Sequence, residues 1–199
     1  MIEMLRPLVL ASASPRRKEL LEGAGVSFEV VAAPPGEEDG VDPSLSPGEG
    51  AATRALAKAS WAAARRPEAA VLGADTVVVL EGEMLGKPAD PADARRMLAR
   101  LSGRTHRVLT GFAVVVNGSG RTWVVETDVS FRALDEASIG RYVDGGESMD
   151  KAGAYAIQGA GGHLVDRVTG SYTNVVGLPL PEVLAALADC GVLTGPGTG

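Results

Sequence analysis

The chain has 199 residues, 45% of them hydrophobic and 22% charged, a composition that builds a buried core and excludes a disordered polymer. Its length fits one domain or two closely joined lobes. The formal net charge of −6, from 25 acidic and 19 basic residues, argues against a protein that grips DNA or RNA through a broad basic face, so positive charge must be used locally.

Leu8, Val9 and Leu10 form a short apolar run that stops at Ala11-Ser12-Ala13-Ser14-Pro15. A serine followed by proline at a first helical position predicts a helix from Pro15 to about Ala24, with Leu20 and Leu21 facing inward and Gly25 ending it. A strand resumes over Phe28 to Val31. Residues Pro34 to Gly50 read as an acidic loop, and Ser46-Pro47-Gly48-Glu49 is a capping box for a second helix reaching about Ala64. Val71 to Ala74 and Val77 to Leu80 are β-rich segments separated by Asp75 and Thr76, and a turn at Glu81-Gly82 leads into Met84 to Gly86. Asp90, Pro91 and Asp93 start a helix whose Met97, Leu98 and Leu101 share one face, closed by Ser102-Gly103. Two long strands follow, Arg107 to Val116 and Arg121 to Phe131, joined by the hairpin signal Asn117-Gly118-Ser119-Gly120. In the second, Val125, Thr127, Val129 and Phe131 alternate with polar neighbours, giving one buried face. Asp135 to Val143 reads as a helix, Leu164 to Thr169 and Tyr172 to Val176 as a hairpin over Gly170-Ser171, and Leu180 to Cys190 as a closing helix. Thr194 to Gly199 reads as a frayed tail.

The longest apolar stretches fall far short of the roughly 20 residues that cross a bilayer, and the N-terminus carries no apolar signal core, so no membrane partner is expected and the cytoplasm is the expected location. A single cysteine, Cys190, and two histidines, His106 and His163, cannot build a Cys/His zinc cage, so any metal must sit on oxygen ligands. Neither histidine is assigned a role, and Cys190 reads as core packing.

Three segments could carry chemistry. Ser12-Ala13-Ser14-Pro15-Arg16-Arg17-Lys18 lies where a strand hands over to a helix, and backbone N–H groups, the helix dipole and forked arginine donors there suit phosphate oxygens. The plain alternative is a capped surface helix with solvated cations. Asp75 interrupts an apolar strand run, so its carboxylate needs a cation, a metal or a strand end facing a cleft. Lys87, in Gly86-Lys87-Pro88, is one candidate partner, in catalysis or in a plain structural salt bridge. Glu37 and Glu38, on the acidic loop, are either hard oxygen ligands for Mg²⁺ or solvated loop charges. The glycine-rich run Lys151 to Gly162 allows close backbone approach to a ligand, with Gln158 able to donate and accept towards a base edge, or is an ordinary loop.

The ordered set Leu10-Ala11-Ser12-Ala13-Ser14-Pro15-Arg16-Arg17, Gly73-Ala74-Asp75-Thr76, Gly86-Lys87-Pro88, Leu101-Ser102-Gly103, Asp150-Lys151-Ala152-Gly153-Ala154-Tyr155 and Ile157-Gln158-Gly159 resembles the Maf family of nucleoside triphosphate pyrophosphatases, over residues 8 to 187. The resemblance implies an α/β fold of the Maf and inosine-triphosphatase type: an elongated mixed sheet flanked by helices, in two lobes with a central cleft. It implies one such domain over residues 1–193, a homodimer, and hydrolysis of the α–β phosphoanhydride of dTTP, UTP or related modified nucleotides with Mg²⁺ or Mn²⁺. Carried over by position, Ser12, Arg16, Lys58 and Lys87 match phosphate-contacting positions and Asp75 the main catalytic carboxylate. Arg17, Thr76 and Gln158 match positions that accompany a preference for dTTP and UTP. Glu38, Lys58 and Lys87 thereby join Asp75 as catalytic candidates, with Asp75 and Glu38 also the metal ligands. Pro34-Pro35-Gly36-Glu37-Glu38 carries an extra residue relative to the family pattern, and Glu38 is favoured over Glu37 as the family glutamate. Two other classes stay open: a nucleotide-binding regulator of cell division or septum formation that does not turn over, and a nucleic-acid module using Arg16 and Arg17.

Overall fold

The structure is a computed structural model and describes residues 2–36 and 40–194. In chain order the elements are β1 (Leu8–Leu10), α1 (Pro15–Gly23), β2 (Glu29–Val30), α2 (Pro47–Ala63), β3 (Ala70–Leu80), β4 (Glu83–Leu85), α3 (Pro91–Leu101), β5 (Thr105–Val116), β6 (Ser119–Phe131), α4 (Glu136–Asp144), β7 (Val165–Thr169), α5 (Tyr172–Val176) and α6 (Leu180–Asp189). Two 3₁₀ turns, Ala152–Ala154 and Gly159–Leu164, precede β7.

The expected α/β class holds, with a mixed seven-stranded sheet in the order β2-β1-β3-β5-β6-β7 and β4 beside β3. Strand β1 runs parallel to both β2 and β3, whereas the β3–β4 and β6–β7 pairs are antiparallel. The chain divides into two compact units, one of residues 1–75, 110–125 and 177–199, the other of residues 76–109 and 126–176. Strands β3, β5 and β6 each contribute residues to both.

In the first unit, Leu10, Leu21, Leu72, Phe112, Leu178 and Leu187 centre a fully buried core. Helix α2 buries alanines, Ala55, Ala59 and Ala62, in a second cluster, with Leu56 and Trp61 packed partly buried against it. It sits very close to the sheet: a Cβ on Gly73 would lie 2.2 Å from the carbonyl oxygen of Ala55, and one on Gly111 would lie 2.2 Å from the amide nitrogen of Ala52. The predicted capping box starts this helix, with the Glu49 amide donating to Ser46 Oγ and the Ser46 amide to Glu49 Oε2. Thr194, expected to fray, is tied to Glu3 by three bonds that each involve a backbone group, while residues 195–199 lie outside the described residues.

In the second unit, α3 and α4 start on the caps Asp90 and Asp135 and pack Leu98, Leu101, Ile139 and Tyr142 over Val108, Val129 and Phe131. Tyr155 and His106 complete the cluster, their rings edge-on to each other and to Phe131, with His106 Nε2 2.7 Å from the Tyr155 hydroxyl.

Two expectations need correction. Val71–Ala74 and Val77–Leu80 are one continuous strand, β3, so Asp75 lies mid-strand rather than at a break. Tyr172–Val176 is a helix, α5, and not the second arm of a hairpin. The Asn174 amide nitrogen donates to Ser171 Oγ at 3.3 Å, and the Asn174 side-chain nitrogen donates to the Val108 carbonyl and Thr127 Oγ1, both at 3.0 Å. A buried polar side chain bonded to remote strand residues from this helical turn outweighs the β preference of its neighbours.

Candidate active site

The site in the first unit is built on three neighbouring backbones. After β1, the Ser14 amide donates to Ser12 Oγ, shaping the loop before α1, and Ser12 itself is buried. Proline opens α1 and Ser14 makes no side-chain cap. The helix start therefore carries no side-chain cap, the condition in which a helix N-terminus can receive an anion.

The three cations that follow separate in role. Lys18 forms an exposed pair with Glu22 one turn on, which is the plain solvated outcome. Arg17 turns inward: Nε donates to the Gly177 carbonyl at 2.8 Å, and Nη1 to Ser12 Oγ at 3.0 Å and the Ala74 carbonyl at 2.8 Å. Burial pushes its pKa down, the charge of Asp75 pulls it back up, and neighbouring Arg16 adds a smaller downward push. Arg17 thus ties the loop after β1, strand β3 and the chain at Gly177 together, next to Asp75. Arg16 stays half-exposed.

Asp75 is the centre. Lys58 Nζ donates to Oδ1 at 2.8 Å and Arg54 Nε to Oδ2 at 2.7 Å, so each carboxylate oxygen meets its own cation. The three side chains are only 15–20% exposed. Burial alone would push the Asp75 carboxyl up; the charge and hydrogen bond of Lys58, and then those of Arg54, outweigh it and hold the group below the ordinary carboxylate range. The Asp75 side chain is therefore an anion at neutral pH. The close seat of α2 on Gly73 and Gly111 sets this geometry, since Arg54 and Lys58 are four residues apart on one helical face.

The sequence reading offered Lys87 as one candidate partner of Asp75. Lys87 belongs to the second unit, in the exposed stretch after β4, while Lys58 and Arg54, in the same unit as Asp75, hold its carboxylate. Arg54 was missed altogether. The signal that could have found it is the i, i+4 spacing with Lys58 on a helix whose inward positions are otherwise alanine.

Thr76 and Gln158 also belong to the second unit. Gln158 is half-buried and leads into the turn Gly159–Leu164, where the Ala160 amide donates to Glu147 Oε1 at 3.2 Å. Gly159 and Gly153 both have positive φ, the backbone conformation that favours glycine where this turn bends. Glu37 and Glu38 lie outside the described residues.

Among the described residues no three Asp, Glu, His or Cys side chains gather as a metal cage. A single carboxylate fits a different arrangement, as one oxygen ligand of a divalent ion that arrives on substrate phosphates, the usual habit of Mg²⁺.

A family profile described as Maf-like protein matches residues 7–190. The chain belongs to the Maf family. Similar proteins include the dTTP/UTP pyrophosphatase of Syntrophus aciditrophicus (strain SB), 50% identical over 189 residues, 94% of this chain and 91% of that protein. The dTTP/UTP pyrophosphatase of Gloeobacter violaceus is 50% identical over 92% of this chain and 95% of its own, and that of Bacillus pumilus 43% over 94% and 98%. Membership in the Maf family thus covers nearly the whole chain and both units.

Proposed function

We propose that this Maf chain is a nucleoside triphosphate pyrophosphatase that hydrolyses dTTP, UTP or related modified nucleotides between the α and β phosphates, releasing the monophosphate and pyrophosphate. The observation that carries the reading is an ionised Asp75 fixed between Lys58 and Arg54, in a chain half identical to relatives named for that activity.

A triphosphate brings about four negative charges, and an acidic protein must meet them with concentrated positive charge. Arg16 beside the α1 start, with Lys58 on α2, supplies it in the first unit; Lys87 is the proposed contribution of the second. As water attacks the α phosphorus, charge grows on the leaving pyrophosphate, and cations whose contacts strengthen there lower the barrier rather than merely tightening binding. Asp75, with a depressed pKa, is a weak proton acceptor and suits orienting the attacking water. It is also the residue that would hold Mg²⁺ or Mn²⁺ with Glu38, an ion that neutralises phosphate charge. Ser12 and Arg17 shape the phosphate loop, while Thr76 and Gln158 are proposed to read the base.

Residues 1–193 are proposed to act as one Maf-like domain, in a cytoplasmic homodimer. Among the described residues, no helix is long and apolar enough to cross a membrane.

The test is to incubate the protein with dTTP, UTP, CTP, GTP and modified triphosphates plus Mg²⁺ or Mn²⁺ and identify the products. Monophosphate and pyrophosphate are expected, fastest from dTTP and UTP; nucleoside diphosphate and orthophosphate would place cleavage at the wrong bond. Asp75→Asn is expected to keep the fold by circular dichroism and lose about 10²- to 10³-fold in turnover. Near-normal turnover in that variant would remove Asp75 from its role.

A further inference from the structure

We propose that Arg54 is a positioning residue of this site, fixing the plane and rotation of the Asp75 carboxylate so that its oxygens are presented in one orientation to the reacting groups. The inference rests on the catalytic reading above and adds to it a residue that neither the sequence motifs nor the relatives' names assign.

Three observations carry it. First, the hold is two-point: Lys58 takes Oδ1 and Arg54 takes Oδ2, so rotation about the Cβ–Cγ bond of Asp75 would break both bonds. Second, the two donors are not equivalent. An ammonium is a point charge with three rotatable donors and tolerates many carboxylate orientations, whereas the planar guanidinium offers Nε–H in one direction. Arg54, not Lys58, therefore dictates the plane. Third, the guanidinium runs back along α2 past Gly50, one turn earlier, which leaves it room: an added Cβ there would come within 3.3 Å of Nη1. Helix α2 in turn is seated closely on the sheet, because Gly73 and Gly111 let its backbone approach the strands. The chain of support runs from sheet to helix to guanidinium to carboxylate, the rigid backing that a pre-organised group requires.

Kinetics on dTTP separate positioning from phosphate binding and from mere packing. Arg54→Ala is expected to lower kcat about 10-fold with KM nearly unchanged, since a misplaced group costs rate rather than affinity. Millimolar guanidinium ion is expected to restore part of that loss in Arg54→Ala and to do nothing for the wild type. Arg54→Lys, which keeps the charge and loses the planar donor, is expected to recover only partly. Gly50→Ala, which favours the helix yet crowds Nη1, is expected to lower kcat two- to three-fold with no drop in melting temperature, and to have no effect when Arg54 is already alanine. A raised KM with unchanged kcat in Arg54→Ala, or full recovery by lysine, would overturn the proposal.

A second measurement does not depend on turnover. The melting-temperature losses of Arg54→Ala and Asp75→Asn should sum to more than the loss in the double variant, because both break the same contact. Additive losses would overturn the pairing itself. A wild type inactive on every triphosphate, with the melting cycle still non-additive, would instead sink the catalytic reading and leave the Arg54–Asp75 pair standing.

Discussion

At the scale of single residues, this protein uses buried polar groups in two opposite ways. Asp75 is kept charged by cations that more than offset its burial. His106 is kept neutral: it is 1% exposed, Nδ1 has no partner, and burial lowers its pKa from 6.5 to about 4. Protonating Nδ1 would bury an unpaired charged N–H, which the fold resists. The sign of the consequence follows from linkage. Below pH 6.5 the unfolded chain takes up a proton that the folded chain refuses, so stability is lost as pH falls from 6.5 towards about 4, and this group adds no further loss below that. The loss amounts to about 3 kcal/mol. Urea unfolding of the wild type at pH 7.5 and 4.5 should show it, and His106→Gln should flatten that part of the difference while keeping a polar group near Tyr155. An equally steep dependence in the variant would assign it to other groups.

At the scale of elements, helix α2 is the part on which the site depends, and its contact with the sheet is set by absent side chains. Gly73→Ala would drive a Cβ to 2.2 Å from the Ala55 carbonyl, a backbone atom that cannot swing aside. Overpacking of this kind costs about 3 kcal/mol, and here it would also carry Arg54 and Lys58 away from Asp75. Gly23→Ala is the contrast, since a Cβ there meets nothing within 4 Å and the position is helical. Denaturant unfolding should find Gly73→Ala strongly destabilised and Gly23→Ala neutral or slightly stabilised; equal effects would mean that the close seat of α2 is not what holds it. Element by element, local chemistry was readable where it is self-contained. Ser46 and Glu49 cap α2, Asp90 caps α3, and Asn117-Gly118, both at positive φ, turn β5 into β6. It misled at Tyr172–Val176, whose valines and aromatic suggest a strand, because the deciding bonds of Asn174 go to Val108 and Thr127, remote in sequence.

At the scale of the whole molecule, β3, β5 and β6 each give residues to both compact units, so neither unit has a complete set of strands of its own. The chain should therefore unfold in one cooperative transition, with calorimetric and van't Hoff enthalpies equal. Two resolved transitions would make the units independent domains. Membership in the Maf family was legible in the sequence, because a motif is a pattern of residue types in order. So were most helix and strand positions, because caps, turns and apolar periodicity act over a few residues. The pairing of Asp75 with Arg54 was not legible. It arises where a helix backbone meets two strands, β3 and β5, through glycines Gly73 and Gly111 that are 38 residues apart, and only the folded chain fixes how closely they let those backbones approach.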